Sequence, residues 1–317
     1  MTNEILLSEA RRNLGVFLSL VYRTDTGKPA LPPRHSREYF LPALQSDKHT
    51  VIIAPPGSAK TLTTMAACAW WIGRNPNVHL GYVTNTSFQA RQRSVAIRDI
   101  LQSPQYLSIF PHIQPDKSKG WSEDDWFVQR ADVGDKDPTF SAAGVGSPIL
   151  GARFDRVVLD DIADEENMST EGQREKLRTW LNRTLMSRLT PDGVAVMICT
   201  RWAEDDPAQW AIERGWQVVH FPAIDNSLSY WPEHWPIDLL QKKRSEDARS
   251  FALMYQGVIT DDKSSILPRD KWKFGLPPDD KTLIGGTFID MAHTTKDSSD
   301  YSVILTAVTD RLNLYLL

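Results

Sequence analysis

The sequence predicts an α/β fold: a mainly parallel central sheet wound with helices. Three observations predict it. Short β-branched apolar runs recur at 50–54, 78–84, 156–161 and 194–199. Between them lie amphipathic or polar stretches of helical period. The runs are continuous rather than alternating, as in strands covered on both faces by crossover helices.

Composition bounds the rest. The 317 residues leave room for two domains. With 41% hydrophobic and 24% charged residues, gross disorder is excluded. Cys68 and Cys199 are the only cysteines, and each sits in an apolar run. A disulfide scaffold and a four-cysteine zinc site are therefore excluded. The 36 basic and 40 acidic residues leave a net charge of −4. That argues against a generally basic nucleic-acid coat but permits a local basic track. No apolar run approaches the ~20 residues of a membrane span. The N-terminus carries early acids and no small-residue cleavage site, so a cytoplasmic setting is expected.

Each element follows from its pattern. Residues 4–22 place Ile5, Leu6, Ala10, Leu14, Phe17, Leu18 and Val21 on one helical stripe. Pro32 and Pro33 close that segment. TVIIA at 50–54 reads as a buried strand, PPGSAK as a loop, and the following residues as a helix to about Gly73. A strand at 78–84 leads to a helix at 87–102. Short strands are expected at 126–131 and 139–143, then RVVLDD at 156–161 as a strand ending in acids. A helix at 170–188 carries Leu177, Leu181 and Leu185, and VAVMIC at 194–199 is another buried strand. Beyond Asp206, helices at 206–214 and 236–255 flank a strand at 216–221. Residues 261–281 read as a polar, proline-containing linker. Strands at 283–290, 301–308 and 312–317 open a β-meander that three strands cannot complete as a core.

Three motifs carry chemistry. The first is the strand–loop–helix 54–61, APPGSAKT. A phosphate-binding loop reads G-x-x-x-x-G-K-[ST], with backbone amides around the phosphates, a lysine on the β/γ charge and a hydroxyl on Mg²⁺. Lys60 and Thr61 stand correctly, Gly57 and Ser58 are internal, and both framing glycines are alanine (Ala54 and Ala59). The plain alternative is a strand-to-helix turn. The second motif is Asp160–Asp161 at a strand end: one acid for Mg²⁺, one to orient the attacking water. Glu165 or Glu166 could replace the second, and a helix-capping pair is the bland alternative. The third is Thr200–Arg201–Trp202 after a buried strand, which puts a hydroxyl and a guanidinium at the ligand-binding edge of the sheet; taken alone, a solvated turn with Trp202 packed on the lid is the favoured alternative.

In order and spacing these motifs resemble one family, the large terminase subunit of tailed bacteriophages. CTRWAEDD at 199–206 looks like that family's coupling motif, and FALMYQG at 251–257 like the aromatic–Gln segment ending its ATPase region. FIDMAHTTKDSSDYSV at 288–303 looks like the start of its ribonuclease-H-like nuclease domain. The resemblance implies a P-loop NTPase with a small lid subdomain, followed by the first nuclease strands. The expected divisions are an N-terminal helical segment at 1–28, an ATPase core at 29–205, a lid at 206–260, a linker at 261–281 and an incomplete nuclease domain at 282–317. It implies ATP and Mg²⁺ as cofactors, with Mg²⁺ or Mn²⁺ for a complete nuclease.

Residue by residue, Pro56, Gly57, Ser58, Ala59, Lys60 and Thr61 match the phosphate loop, and Asp160 the Mg²⁺ acid. Asp161 stands where the catalytic carboxylate, usually Glu, is expected, with Glu165 nearby. Thr200 matches the coupling position and Arg201 follows it. Arg34, His35 and Arg37 fall where the family contacts adenine. The loop has prolines where many members carry an arginine. Arg153 is the candidate replacement, acting from a neighbouring subunit, with a surface salt bridge as the equal alternative. Asp290 matches the first nuclease acid, while Asp300 more simply organises a turn. The later nuclease acids are expected beyond residue 317, so no cutting is expected from this chain.

The implied activity is ATP-driven translocation of double-stranded DNA into a preformed capsid, with a C-terminal nuclease that cuts concatemers. The alternatives are another P-loop translocase or helicase, or a nucleotide-binding assembly subunit with little turnover. Implied partners are double-stranded DNA, the portal protein and the small terminase subunit. The implied assembly is a homo-oligomeric ring, a pentamer, on the capsid and a monomer when free. No membrane is implied; the setting is the host cytoplasm with transient docking on the procapsid. Arg91, Arg93 and Arg98 on one predicted helix, and the Lys242–Arg244 cluster, are the candidate DNA contacts, against a simple solvated face. Trp121 and Trp126 sit among acids and are poor stacking platforms.

Overall fold

The computed structural model describes residues 3–23, 27–131, 134–148, 152–259, 283–290, 303–309 and 314–316. The chain divides into two units, residues 1–260 and 261–317.

The first unit opens with α1 (Asn3–Arg12) and α2 (Leu14–Val21), two helices where one was expected. Asn13 causes the break: its side chain accepts hydrogen bonds from the Gly15 and Val16 amides and caps α2. A π-helical turn (Ser36–Phe40) runs into α3 (Leu41–Gln45). Then follow β1 (Thr50–Ile53), α4 (Lys60–Arg74), β2 (Leu80–Thr84), α5 (Ser87–Gln102) and α6 (Pro104–Ile109). The next strands are β3 (Asp125–Trp126), β4 (Phe140–Gly144) and β5 (Phe154–Asp160). After α7 (Glu165–Met168) and α8 (Glu171–Trp180), a π turn and a 3₁₀ turn lead into β6 (Leu189–Cys199). The unit continues with α9 (Pro207–Glu213) and β7 (Gln217–His220).

These strands make one seven-stranded sheet in the order β3-β4-β2-β5-β6-β1-β7, parallel except for β3. Alternate residues separate the two cores. Ile52, Tyr82, Val158, Val196 and Ile198 face one cluster, with α4, α5 and the N-terminal helices. Val51, Val83, Val157, Leu159, Ala195 and Met197 face the other, with residues of α8 and α9. Every central strand is thus buried on both faces, which is why its sequence is continuously apolar.

Two expected boundaries move. The N-terminal segment belongs to the core: Ala10, Leu14 and Phe17 are fully buried, and the Trp70 indole donates to the Ala10 carbonyl at 2.9 Å. The strand expected inside a separate lid is β7, the edge strand of the central sheet, paired with β1 from Thr50↔Gln217 to Ile53↔His220. The strand itself is expected at 216–221; its pairing with β1 is what the sequence pattern does not show. What stands outside the sheet is a small cap at 221–258. Its hairpin pairs β8 (Ile224–Asp225) with β9 (Leu228–Ser229). Asn226 and Ser227 both have positive φ, the geometry of a tight two-residue turn. The single helix expected at 236–255 divides into α10 (Ile237–Glu246), α11 (Ala248–Ser250) and a π turn (Phe251–Tyr255), because Asp247 caps the second piece.

The second unit is an antiparallel sheet of β10 (Ile284–Asp290), β11 (Val303–Thr309) and β12 (Leu314–Leu316). Asp290 is the last residue of β10, opposite Val303. Asp300 and the expected linker 261–281 lie outside the described residues.

Gly73, in the last turn of α4, tests the packing of the larger core. A Cβ built there lies 2.4 Å from the Phe110 ring, which is itself buried against Phe17 and Tyr106. Gly to Ala in a helix normally stabilises by about 0.5–1 kcal/mol. Here overpacking reverses the sign, and Gly73→Ala should cost about 1–3 kcal/mol. Thermal melting checks this; an unchanged or higher Tm would mean that Phe110 yields freely.

Candidate nucleotide and metal site

The carboxyl ends of β1, β2, β5 and β6 meet at one edge of the sheet. The loop 54–59 leaves β1 there and enters α4 at Lys60. The first-turn amides of α4 have no intrahelical acceptor, so they and the helix dipole favour an anion. Gly57 has φ +71° and Ala59 has φ 60°. Ala59 occupies the place of the second framing glycine and adopts the left-handed conformation a glycine would take. For an L-residue that conformation costs about 1–2 kcal/mol.

The polar contacts of the site converge on Asp160. β6 lies between β1 and β5, so the loop and the acid are two strands apart and meet only through side chains. The Thr61 hydroxyl donates to Asp160 Oδ1 at 3.1 Å, and the Tyr82 hydroxyl donates to Oδ2 at 2.8 Å. Asp160 is 3% exposed. Burial, reinforced by the charge of Asp161, pushes its carboxyl up to about 6, against the pull of these hydrogen bonds and of Lys60. Hard oxygen donors from a hydroxyl and one carboxylate suit Mg²⁺, which keeps waters and shares phosphate oxygens. Among the described residues no group of three or more His, Cys, Asp or Glu converges on a point.

Asp161 follows β5 with φ 46° and its amide donates to the Ile198 carbonyl at 2.9 Å. Its carboxylate lies 3.2 Å from Lys60 Nζ and is 45% exposed. Glu165 is exposed in the first turn of α7. Asp164 caps that helix and accepts from the Asn85 side chain.

The loop is held from outside by its carbonyls. His35 Nε2 donates to Ser58 O at 2.9 Å, the Tyr230 hydroxyl reaches Pro56 O at 3.4 Å, and the Trp235 indole reaches Gly57 O at 3.3 Å. Burial lowers the His35 pKa, so its ring is neutral. Ser58 Oγ is buried with no hydrogen-bond partner among the described residues, a donor left for a ligand oxygen. A Cβ on Gly57 would lie 2.7 Å from the Trp235 ring, so the glycine is needed for close approach as well as for φ.

Several expected residues sit elsewhere. Of the three candidates near adenine, only His35 touches the loop. Arg34 pairs with Glu38 on the surface, and Arg37 lines a 390 Å³ cavity with Asn13, Gly15, Val16 and Ser19. Arg153 is exposed just before β5, at the sheet edge opposite the site; seven residues of strand put it roughly 20 Å from Asp160. It cannot serve the site of its own chain. Thr200 is buried beside the loop strand, whose Ala54 amide donates to Cys199 O at 3.1 Å. Arg201 turns back into its own loop, where Nε donates to Asp206 Oδ2 at 2.8 Å with both residues buried. Asp206 also caps α9, so Arg201 fixes the start of that helix rather than facing a phosphate. The expected DNA-facing arginines are also engaged. Arg91 pairs with Asp124 at 2.7 Å, and Arg98 donates to the Trp121 and Ser122 carbonyls. Arg93 points at Asp160, with Nε 3.9 Å from Oδ2.

Tyr82, Arg93, Tyr230 and Trp235 were not foreseen as site residues. Two left a signal. Tyr82 puts a hydroxyl into an apolar strand, and a buried hydroxyl needs a partner. Arg93 falls beside Ala90, Ser94 and Ile97 on the buried stripe of α5, where a cation is out of place.

No protein-family model matches the chain. A curated relative, the large terminase subunit of Enterobacteria phage T3, is 24% identical over 184 residues, 56% of this chain and 30% of that protein. The chain therefore spans less than a third of the length of the curated relative it matches. Among solved structures, the large terminase of bacteriophage HK97 shares the fold, with a TM-score of 0.51 at 10% identity over 97% of this chain and 67% of that one. The ATPase domain of the Thermus phage P74-26 large terminase aligns at TM-score 0.48 and 16% identity, covering 70% of this chain and 92% of that one. The architecture is α/β with a mainly parallel central sheet, a fold shared with the HK97 protein. Motif order, the curated relative and the shared fold point the same way: this chain is similar to the large terminase subunits of tailed bacteriophages.

Proposed function

We propose that the chain is the ATP-hydrolysing motor subunit of a phage DNA-packaging machine. The observation that carries this reading is the convergence of Lys60, Thr61, Asp160 and Asp161 at one sheet edge beside the start of α4. The loop amides and Ser58 bind the phosphates, Lys60 neutralises their charge, and Thr61 with Asp160 holds the Mg²⁺ that arrives with the nucleotide. When bound there, that ion would supply charge neutralisation for the phosphates. A phosphate at Lys60 competes with Asp161 for the ammonium. Asp161, with Glu165 as the second candidate, is then free to orient water toward the γ-phosphorus. His35, Tyr230 and Trp235 link the loop to the cap, and Thr200 reports from the adjacent strand end. Double-stranded DNA, the portal protein, the small terminase subunit and a pentameric ring are the partners this reading assigns. The host cytoplasm and the procapsid surface are its setting, and no helix among the described residues is long and apolar enough to cross a membrane. The strands at 282–317 are assigned to the start of a nuclease domain, with Asp290 as its first metal acid.

A second reading, binding without turnover, is favoured by the strained Ala59 and by the Lys60–Asp161 pair. Phosphate release separates the two readings. Wild type with Mg·ATP and duplex DNA should release phosphate, and Lys60→Ala should lower the rate at least 100-fold and abolish nucleotide binding. Tight ATP binding with no release, DNA and portal present, would establish the second reading.

Two further outcomes follow from the site. The folded pKa of Asp160 lies above its ordinary 3.8, at about 6, so the neutral form is favoured by folding. Its contribution is fully present below pH 3.8 and lost as pH rises through 6. In metal-free protein Asp160→Asn should therefore match wild type at low pH and gain on the order of 1–3 kcal/mol above pH 6. Denaturant melts across that range check it; a gap independent of pH would contradict it. Ala59→Gly should relieve the left-handed strain and raise Tm by a few degrees, about 1 kcal/mol, without weakening nucleotide binding. A lower Tm would show that the loop gains more from the stiffer residue.

A further inference from the structure

Arg93 stands two turns into α5 and differs from the other arginines of that helix. Arg91 is tied to Asp124, and Arg98 to two backbone carbonyls. Arg93 Nε is shielded from solvent and has no hydrogen-bond partner among the described residues. Its nearest anion is Asp160 Oδ2 at 3.9 Å, too long for a hydrogen bond. That carboxylate already accepts from Tyr82 on Oδ2 and from Thr61 on Oδ1. The remaining face of the guanidinium is open, with 34% of the side chain exposed. A cation is thus held against the metal-binding acid with a buried donor that the protein leaves unmatched. Such a donor calls for an oxygen brought by a ligand.

The chemistry of that ligand is constrained by what surrounds it. Asp160 has the strand parity of Val158, so its side chain lies on the sheet face that α4 and α5 cover. Lys60 and Thr61 open α4 on that face, and Arg93 borders the same carboxylate from α5. A group held by Lys60 and Thr61 that also reaches Arg93 must carry several anionic oxygens, and a phosphoryl group does. The guanidinium fork matches two such oxygens, whereas an ammonium offers a point charge. The loop itself carries no arginine, and Arg153 lies at the far edge of the sheet.

We propose that Arg93 donates to the terminal phosphoryl group of the bound nucleotide, supplying from within the chain the arginine that hydrolysis requires. This rests on the nucleotide-hydrolysing reading of the site. As water oxygen bonds to the γ-phosphorus, the bond to the ADP oxygen breaks and that oxygen keeps the electron pair. The water proton passes to Asp161. Arg93 stabilises the charge spread over the transferring oxygens. It contributes little to binding ADP, and a neighbouring copy is not needed to complete the site.

The test is Mg·ADP binding, with and without aluminium fluoride, together with ATP turnover at low protein concentration. It uses the full chain as wild type, Arg93→Ala, Arg93→Lys and Arg153→Ala. Arg93→Ala should bind ADP within about threefold of wild type, lose the tightening that aluminium fluoride gives, and turn over roughly 10³-fold more slowly. Arg93→Lys keeps the charge and stem, so it carries the test if the alanine variant does not fold. It should bind ADP normally and recover neither trapping nor rate by more than about tenfold. Arg153→Ala should behave as wild type. Wild-type trapping and turnover in Arg93→Ala, or loss of duplex DNA binding with trapping intact, would overturn the assignment while leaving the ATPase reading standing. A wild type that neither binds nor hydrolyses ATP would remove both.

Discussion

The buried carboxylate of Asp160 is the constraint on which the rest of the site depends. It ends β5 in the middle of a seven-stranded sheet, two strands from the loop strand β1. No backbone ladder joins the two, so the hydroxyl of Thr61 bridges them. Burial makes the charge costly and pushes the carboxyl up to about 6. Four side chains gather around that cost: Thr61 and Tyr82 donate to it, while Lys60 and Arg93 bring positive charge. A carboxylate this costly to keep ionised is stabilised by any cation brought close to it.

Around that centre the backbone is strained where the chemistry is. Ala59 and Asp161 are non-glycine residues with positive φ, one at each side of the Lys60–Asp161 pair. The surrounding structure over-determines them. Ala59 stands between Ser58, held by His35, and the start of α4; Asp161 is fixed by its amide bond to β6. The cap grips the same loop through Tyr230 and Trp235, so a shift of the loop carbonyls is felt directly by the cap. The cap is also stapled to the edge strand. Gln256 exchanges two hydrogen bonds with the backbone of Ile224, and its carbonyl accepts from His220 of β7. Hydrogen bonds therefore join loop, edge strand and cap. The Arg201–Asp206 pair anchors the neighbouring loop at the start of α9.

Much of this was legible in the sequence because it is local. Continuous apolar runs mark strands covered on both faces, and the strand–loop–helix spacing singles out Lys60 and Thr61. The run VVLD puts an acid at a strand end, and the fold then brings Thr61 and Asp160 within hydrogen-bond reach. The strand at 216–221 is legible in the sequence, but its place at the sheet edge beside β1 is a long-range pairing that no local pattern encodes. The broken helix at 236–255 was misjudged because Asp247 can cap a new helix as readily as continue an old one.

What the sequence by itself determined is the order of strands and helices and the residues that the loop and strand ends present, since periodicity and motif spacing lie within single elements. Only the tertiary structure decided which helix lies beside Asp160 and which way its arginines point. Arg91, Arg93 and Arg98 look alike along the chain, yet one meets Asp124, one Asp160 and one two carbonyls. The difference is set by the packing of α5 across β2 and β4, a long-range contact no local pattern encodes. The same holds for Trp235 on the phosphate loop, 178 residues away along the chain, and for Arg153, which the length of β5 carries to the opposite edge of the sheet.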